Sequence, residues 1–193
     1  PVLGQHGYNA PGEPVWPMYA TYHDDQGLNV QVYNRCVGTR YCINNCPYQV
    51  RFFNYWHPGW PERLENQLNP DVTVRSRGIT EKCTFCVQRL RRGELKVERQ
   101  SGGRLNDESL EKGNYAPACA QACPSSCITF GDQYDDNAKI RNYFDDVNAH
   151  DIHHEHERET PGYRLMEEVN TRPNVIYLKK VDQYPLGEGD GHV

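Results

Sequence analysis

Cysteine spacing constrains this chain more than any other feature. Cys83-x2-Cys86 is followed, after a long gap, by Cys119-x3-Cys123-Pro124. A second group upstream reads Cys36-x2-Thr39-x2-Cys42-x3-Cys46-Pro47. Thiolates at such spacings, closed by a proline, are the ligand pattern of iron–sulfur clusters. The upstream group matches the C-x2-C-x2-C-x3-C-P run except that Thr39 stands where the second thiolate belongs. An alcohol does not ionise near neutral pH and is a poor iron ligand. That corner of a cluster would be open, and a 3Fe–4S cluster is its natural product.

Composition agrees with a fold stapled by something other than its core. Val, Leu, Ile and Phe make up only about a fifth of the 193 residues, while Gly and Pro contribute 16 and 13. The net charge of −5 is too small for disorder throughout. Metal clusters can supply what a small core lacks. Eight cysteines also suit a disulfide scaffold, and C-x2-C with C-x3-C also suits zinc. Chelating spacings count against the first, and the prolines after Cys46 and Cys123 against the second. No apolar run approaches the ~20 residues that cross a bilayer, so no direct membrane span is expected.

Along the chain, residues 20–23 and 28–33 read as a hairpin turned by Asp24-Asp25-Gln26-Gly27, which delivers the chain into the Cys36 loop. Tyr48, Phe52, Phe53, Tyr55 and Trp56 predict a short helix and an irregular segment whose aromatics pack close to a cluster and keep water out. Residues 57–78 read as a connection rich in Pro and Asn. Thr80 to Gly93 predicts a helix with Cys83 and Cys86 in its first turns, and 95–115 an exposed insertion. Cys127-Ile128-Thr129-Phe130 predicts a closing strand. The segment from 132 to about 170 reads as helical and acidic, 175–178 as a terminal strand, and Pro185 to Val193 as a loose end.

Charge is divided. Residues 75–104 carry nine Lys/Arg against three Asp/Glu, and 132–168 four against eleven. Lys82, Arg89, Arg91 and Arg92 would offset an anionic cluster, or form a solvated helix face. No nucleic-acid motif accompanies the basic stretch, so nucleic acid is not an expected partner.

The phrases Tyr33-Asn34-Arg35-Cys36-Val37-Gly38-Thr39-Arg40-Tyr41-Cys42, Asn45-Cys46-Pro47-Tyr48, Lys82-Cys83-Thr84-Phe85-Cys86 and Pro117-Ala118-Cys119 through Cys123-Pro124 resemble one family over nearly the whole chain. It is the four-cluster electron-transfer subunit of molybdopterin oxidoreductases. Thr39 and the ending Asn170-Thr171-Arg172-Pro173-Asn174-Val175-Ile176-Tyr177-Leu178 resemble more narrowly the ActB-like iron–sulfur subunit of alternative complex III. The resemblance implies an α+β fold: a loop-rich, ferredoxin-like dicluster domain with short β-hairpins over 1–131, then a helical extension over 132–193. It further implies 4Fe–4S clusters, a 3Fe–4S cluster, and a respiratory complex on the periplasmic side of a membrane. The implied partners are a quinol-binding integral membrane subunit of the NrfD type and a multihaem cytochrome c or molybdopterin subunit.

In such subunits four cysteine sets pair crosswise, the first with the last and the two middle ones together. The first set is absent, so the chain reads as the latter part of a longer protein. The second set should read C-x2-C-x4-C-x3-C-P, and here it is Gly4-x2-Gly7-x4-Gly12-x3-Trp16-Pro17. By family pairing Cys46 would join positions 4, 7 and 12, and Cys36 and Cys42 would join position 16. Both middle clusters then lack ligands. Cys83, Cys86 and Cys119 remain for one 4Fe–4S cluster, with Cys123 serving the cluster of the first set. Sequence errors at codons one base from cysteine, a decayed paralogue and rearranged ligation at Cys36, Cys42 and Cys46 are the three accounts of this departure.

Two further groups have plainer readings. Cys127 opens an apolar stretch, which predicts a buried, inert thiol. His150, His153, His154 and His156 lie among acidic residues and read as exposed, with a metal site as the alternative. No Ser/His/Asp or paired-carboxylate constellation stands out, so no catalytic site of its own is expected. The function expected is electron transfer. The rival is a degenerate structural or assembly subunit that kept the fold and lost the middle cluster pair.

Overall fold

The computed structural model describes residues 2–102, 115–149, 157 and 159–180. The four histidines at 150–156, most of the 95–115 insertion and the end from Pro185 lie outside them. Within them the chain is a small mixture of short helices and three separate two-stranded antiparallel sheets, compatible with the α+β class.

β1 (Thr21–His23) and β2 (Asn29–Gln31) form the expected hairpin, with Tyr22 opposite Val30. The Asp24 carboxylate closes its turn by accepting from the amides of Gln26 and Leu28 at 3.0 and 2.9 Å. Gly27 supplies the left-handed residue, φ +78°. A 3-10 turn and the short α1 (Tyr41–Asn44) carry the Cys36–Cys46 loop. Two expectations fail next. Arg51–Phe53 is a strand, β3, paired with β4 (Thr80–Lys82), where a helix had been expected in each place. Cross-strand hydrogen bonding overrides the local helical pattern there. The neighbouring aromatics divide: Phe52, Tyr55 and Trp56 are 67%, 61% and 73% exposed, while Tyr48 and Phe53 are half-buried. Within the 57–78 connection lies one short helix, α2 (Glu62–Glu65).

The longest helix, α3, runs Val87–Ser101 and so extends into the expected insertion. It begins only after Cys86, because Phe85 and Cys86 are both left-handed, with φ of 50° and 54°. Leu90, Gly93 and Val97 form its buried stripe, and the Gly102 amide closes it by donating a hydrogen bond to Glu98 O at 2.9 Å. The next helix, α4 (Ala118–Ala122), starts after Pro117. Residues 127–130 form no strand, since no described strand pairs with them.

α5 (Arg141–Ala149) buries Phe144 and Val147 beside β5 (Gly162–Tyr163), which pairs with β6 (Tyr177–Leu178). The tail is laced to the beginning of the chain. Tyr8 and Asn9 amides donate to Arg172 O and Thr171 O at 3.1 and 3.2 Å, and the Asn174 amide donates to Gln5 O at 2.8 Å. Two small apolar clusters lie near the cysteine loops. Trp16, Ala20 and Cys42 form one, with Cys36 and Ile43 against it. Leu28, Leu90 and Tyr115 form the other, joined by Val30, Phe85 and Phe130.

Candidate metal centre

The downstream cysteines are gathered by three elements. β4 leads directly into Cys83, and the left-handed pair Phe85–Cys86 turns the chain so that Cys86 caps α3. The Phe85 amide approaches Cys83 Sγ at 3.5 Å. The Ala118 amide, at the start of α4, approaches Cys86 Sγ at 3.3 Å. That contact brings Cys119 next to Cys86 across thirty residues of chain or so. Arg89 reinforces it by donating to Ala116 O at 3.2 Å and to Gln121 Oε1 at 2.6 Å. Tyr115 ties into the same loop, its hydroxyl donating to Phe85 O. Its phenol is held well above the usual range, by burial first and then by the charges of Cys86, Cys83 and Cys119. Three sulfurs therefore lie within electrostatic reach of one hydroxyl.

Cys123 lies on the loop leaving α4. Hydrogen bonds from Ser125 first, and then Cys127, pull its thiol down to about 6. Cys127, expected as a buried thiol, is exposed, with its sulfur 3.3 Å from that of Cys123. The strand that would have buried it does not form.

The upstream cysteines are placed differently. Cys36 Sγ accepts from the Thr80 amide at 3.3 Å. Cys42 is fully buried, and burial pushes its thiol up against the opposing charge of Arg51. Trp16 shares its apolar cluster, with Cys36 alongside. Cys46 is half-buried and Thr39 exposed. The glycines are closed against neighbours. A Cβ on Gly4 would lie 2.6 Å from Cys83 Cβ, one on Gly7 2.4 Å from Thr171 O, and one on Gly12 3.2 Å from Arg51 Nη2.

A polar centre between the two groups was not anticipated. Arg51 is 7% exposed and stands opposite Lys82 across the β3–β4 pair. Its guanidinium donates to Thr21 Oγ1, Gln31 Oε1 and Asn29 Oδ1 at 3.2, 3.1 and 2.9 Å. Lys82 Nζ donates to the backbone oxygens of Asn29 and Cys83. Burial, and then the Arg51 charge, lower Lys82 to about 7. A buried arginine facing a half-buried lysine, both on neutral acceptors, favours anionic neighbours, which cysteine thiolates would supply. His6 also stacks on Phe85 with ring centroids 3.9 Å apart, Nδ1 accepting from the Asn29 amide at 3.1 Å. A lone arginine among aromatics gives no periodic signal of burial, so Arg51 could not be found from sequence. Arg91 and Arg92 turn away to Asp24, Glu94 and Asp71.

The donor chemistry of the two regions differs. Cys83, Cys86 and Cys119 offer soft thiols, two of them approached by backbone N–H groups, in one neighbourhood; that set fits an iron–sulfur cluster. Among the described residues no three His, Cys, Asp or Glu side chains close on a single ion. A cuboid cluster asks for wider sulfur spacing than one ion does. The middle region does not fit a cluster ligated from positions 4, 7, 12 and 16. Glycine offers no donor, and Trp16 fills its position with indole.

No family model matches the chain. It is 38% identical over 167 residues to the menaquinone reductase iron–sulfur cluster-binding subunit of Nitratidesulfovibrio vulgaris, covering 86% of this chain and 59% of that protein. It is 31% identical over 183 residues to the Hdr-like menaquinol oxidoreductase iron–sulfur subunit 1 of Archaeoglobus fulgidus, covering 93% and 56%. The arsenate respiratory reductase iron–sulfur subunit ArrB of a Shewanella species is 28% identical over 207 residues, covering 93% and 74%. The chain thus spans less than two thirds of the first two relatives. All three relatives are named as iron–sulfur subunits of reductases or oxidoreductases, and the similarity runs over most of this chain. No described helix is long and apolar enough to cross a membrane.

Proposed function

We propose that the chain is an electron-transfer subunit that relays electrons through iron–sulfur clusters in a respiratory complex, between a membrane quinol-oxidising subunit and haem or molybdopterin partners. The observation that supports this reading is the contact of the Ala118 amide with Cys86 Sγ, which brings the turn carrying Cys119 to the Cys83–Cys86 loop. The reading includes a ferredoxin-like dicluster fold over 1–131 and an ActB-like place on the periplasmic side, beside an NrfD-type membrane subunit. Support comes from the cysteine phrases and from the names of the homologues.

Cys83, Cys86 and Cys119 would hold one 4Fe–4S cluster, and Cys123 would serve the cluster of the first cysteine set in the family pattern. Cys36, Cys42 and Cys46 are the weaker ligand group, since their partner positions carry no thiolate. When bound, a cluster supplies one-electron carriage at a potential set by charge, hydrogen bonds and burial. The chain's own residues do the rest. Arg89 pins α4 to α3, Phe85 and Phe130 pack on Tyr115 to limit water, and the amides of Phe85 and Ala118 hold the sulfurs in place.

Iron and acid-labile sulfide in anaerobically purified protein test this directly. The wild type should contain both, and Cys119→Ser should lose about four irons per chain. Wild-type protein free of iron and sulfide would end the reading.

A further inference from the structure

Cys127 has no place in the ligand scheme, yet it stands beside a cysteine that does. Its sulfur is 3.3 Å from that of Cys123, and both thiols are free. The intervening Pro124-Ser125-Ser126 folds back on itself. Ser126 is left-handed, φ 51°, and its amide donates to Cys123 O at 3.1 Å. Ser125 Oγ flanks Cys123 Sγ at 3.4 Å on the same loop. Cys127 is exposed, so a dissolved oxidant reaches it without any opening of the fold. Closing the sulfurs to bonding distance needs a shift of roughly 1.3 Å, within the reach of side-chain rotation on a surface loop.

We propose that Cys123 and Cys127 form a reversible disulfide that withdraws Cys123 from cluster ligation, making this loop a thiol–disulfide switch on cluster loading. The gating role rests on the reading of Cys123 as a ligand; the disulfide itself does not. The oxidant is a small-molecule disulfide. The Cys127 thiolate attacks one of its sulfurs, forming a mixed disulfide and expelling the first small thiolate. The Cys123 thiolate then attacks the Cys127 sulfur, forming the Cys123–Cys127 bond and expelling the second. Two electrons pass from the protein sulfurs to the small disulfide, and the two protons of the protein thiols end on the two small thiols. A small dithiol reverses the sequence, releasing Cys123 for iron.

The test uses apoprotein of the complete polypeptide, wild type and Cys127→Ser, incubated anaerobically with glutathione disulfide. Remaining thiols are alkylated, and the digest is mapped by mass spectrometry before and after dithiothreitol. The expected result is a 123–127 link, two hydrogens lighter and erased by dithiothreitol, in the wild type alone. On reconstitution with iron and sulfide, oxidised wild type should fall about four irons short of the reduced form. Cys127→Ser should load equally with or without the oxidant treatment, once excess oxidant and any glutathione adducts are removed. A wild type in which glutathione stays on Cys127, or Cys123 links to another cysteine, overturns the switch and leaves the ligand reading intact. A 123–127 link with no difference in iron between oxidised and reduced protein overturns the gating role and, with it, Cys123 as a ligand.

Discussion

Trp16 and Cys42 lie in one buried apolar cluster, 4% and 0% exposed, with the indole N–H facing no hydrogen-bond acceptor among the described residues. Large volume and an orphaned donor pull stability in opposite directions. Trp16→Ala should therefore lose about 3–5 kcal/mol through the cavity it leaves. Trp16→Phe, which keeps an aromatic ring and removes the unsatisfied N–H, should cost less than about 1.5 kcal/mol. Urea unfolding of the three proteins checks the order; equal midpoints for wild type and Trp16→Ala would show that the indole packs nothing.

Arg51 holds three side chains of the first hairpin through one planar guanidinium. Its truncation removes the donor these side chains share in a buried site, leaving Thr21 and Gln31 bonded only to each other and Asn29 Oδ1 without its guanidinium. Arg51→Ala should cost about 3 kcal/mol. Arg51→Lys should recover little, because an ammonium cannot reproduce the fork that reaches all three acceptors. Denaturant midpoints for the pair decide between this network and a simple charge effect, which lysine would rescue.

Gly7 is needed for a close approach. An added Cβ would meet Thr171 O, in the stretch where the Tyr8 and Asn9 amides join the tail. Gly7→Ala should lose about 1–3 kcal/mol and loosen that seam. Gly59→Ala, with open space around it, should change stability by less than about 0.5 kcal/mol. Amide exchange at Tyr8 and Asn9 is the local readout, and it should quicken only in the first variant.

Alkaline pH should weaken the contact between Tyr8 and Tyr134. The Tyr8 hydroxyl lies 2.7 Å from that of Tyr134, and burial first, then that hydrogen bond, raises its pKa from 10.0 to about 12. Between those values the unfolded chain gives up a proton that the folded chain keeps, so stability is full below pH 10 and falls as pH climbs to 12. Tyr8→Phe should reduce that fall, measured as the difference in denaturant midpoint from wild type across the window.

The first hairpin was legible because it is local, and the terminal β6 because its apolar run marks a strand whatever its partner. A turn such as Asp24 to Gly27, or a C-x2-C spacing, acts over a few residues. The helix expected to contain Cys83 and Cys86 failed for the opposite reason. β3 and β4 meet across about thirty residues, and that pairing claims Thr80–Lys82 before α3 can begin. Cys127 was misplaced because its burial depended on a strand with no partner among the described residues.

Sequence alone determined the chemistry: which thiols stand at chelating spacing, and that positions 4, 7, 12 and 16 have none. Ligand type is a property of single residues and needs no fold. Tertiary structure decided what surrounds them. It buried Arg51 against Lys82, packed Trp16 with Cys42, brought α4 to Cys86 and set Cys127 beside Cys123. Each joins segments whose meeting depends on long-range pairing or on the path of a loop, and burial and charge arise only once those segments touch.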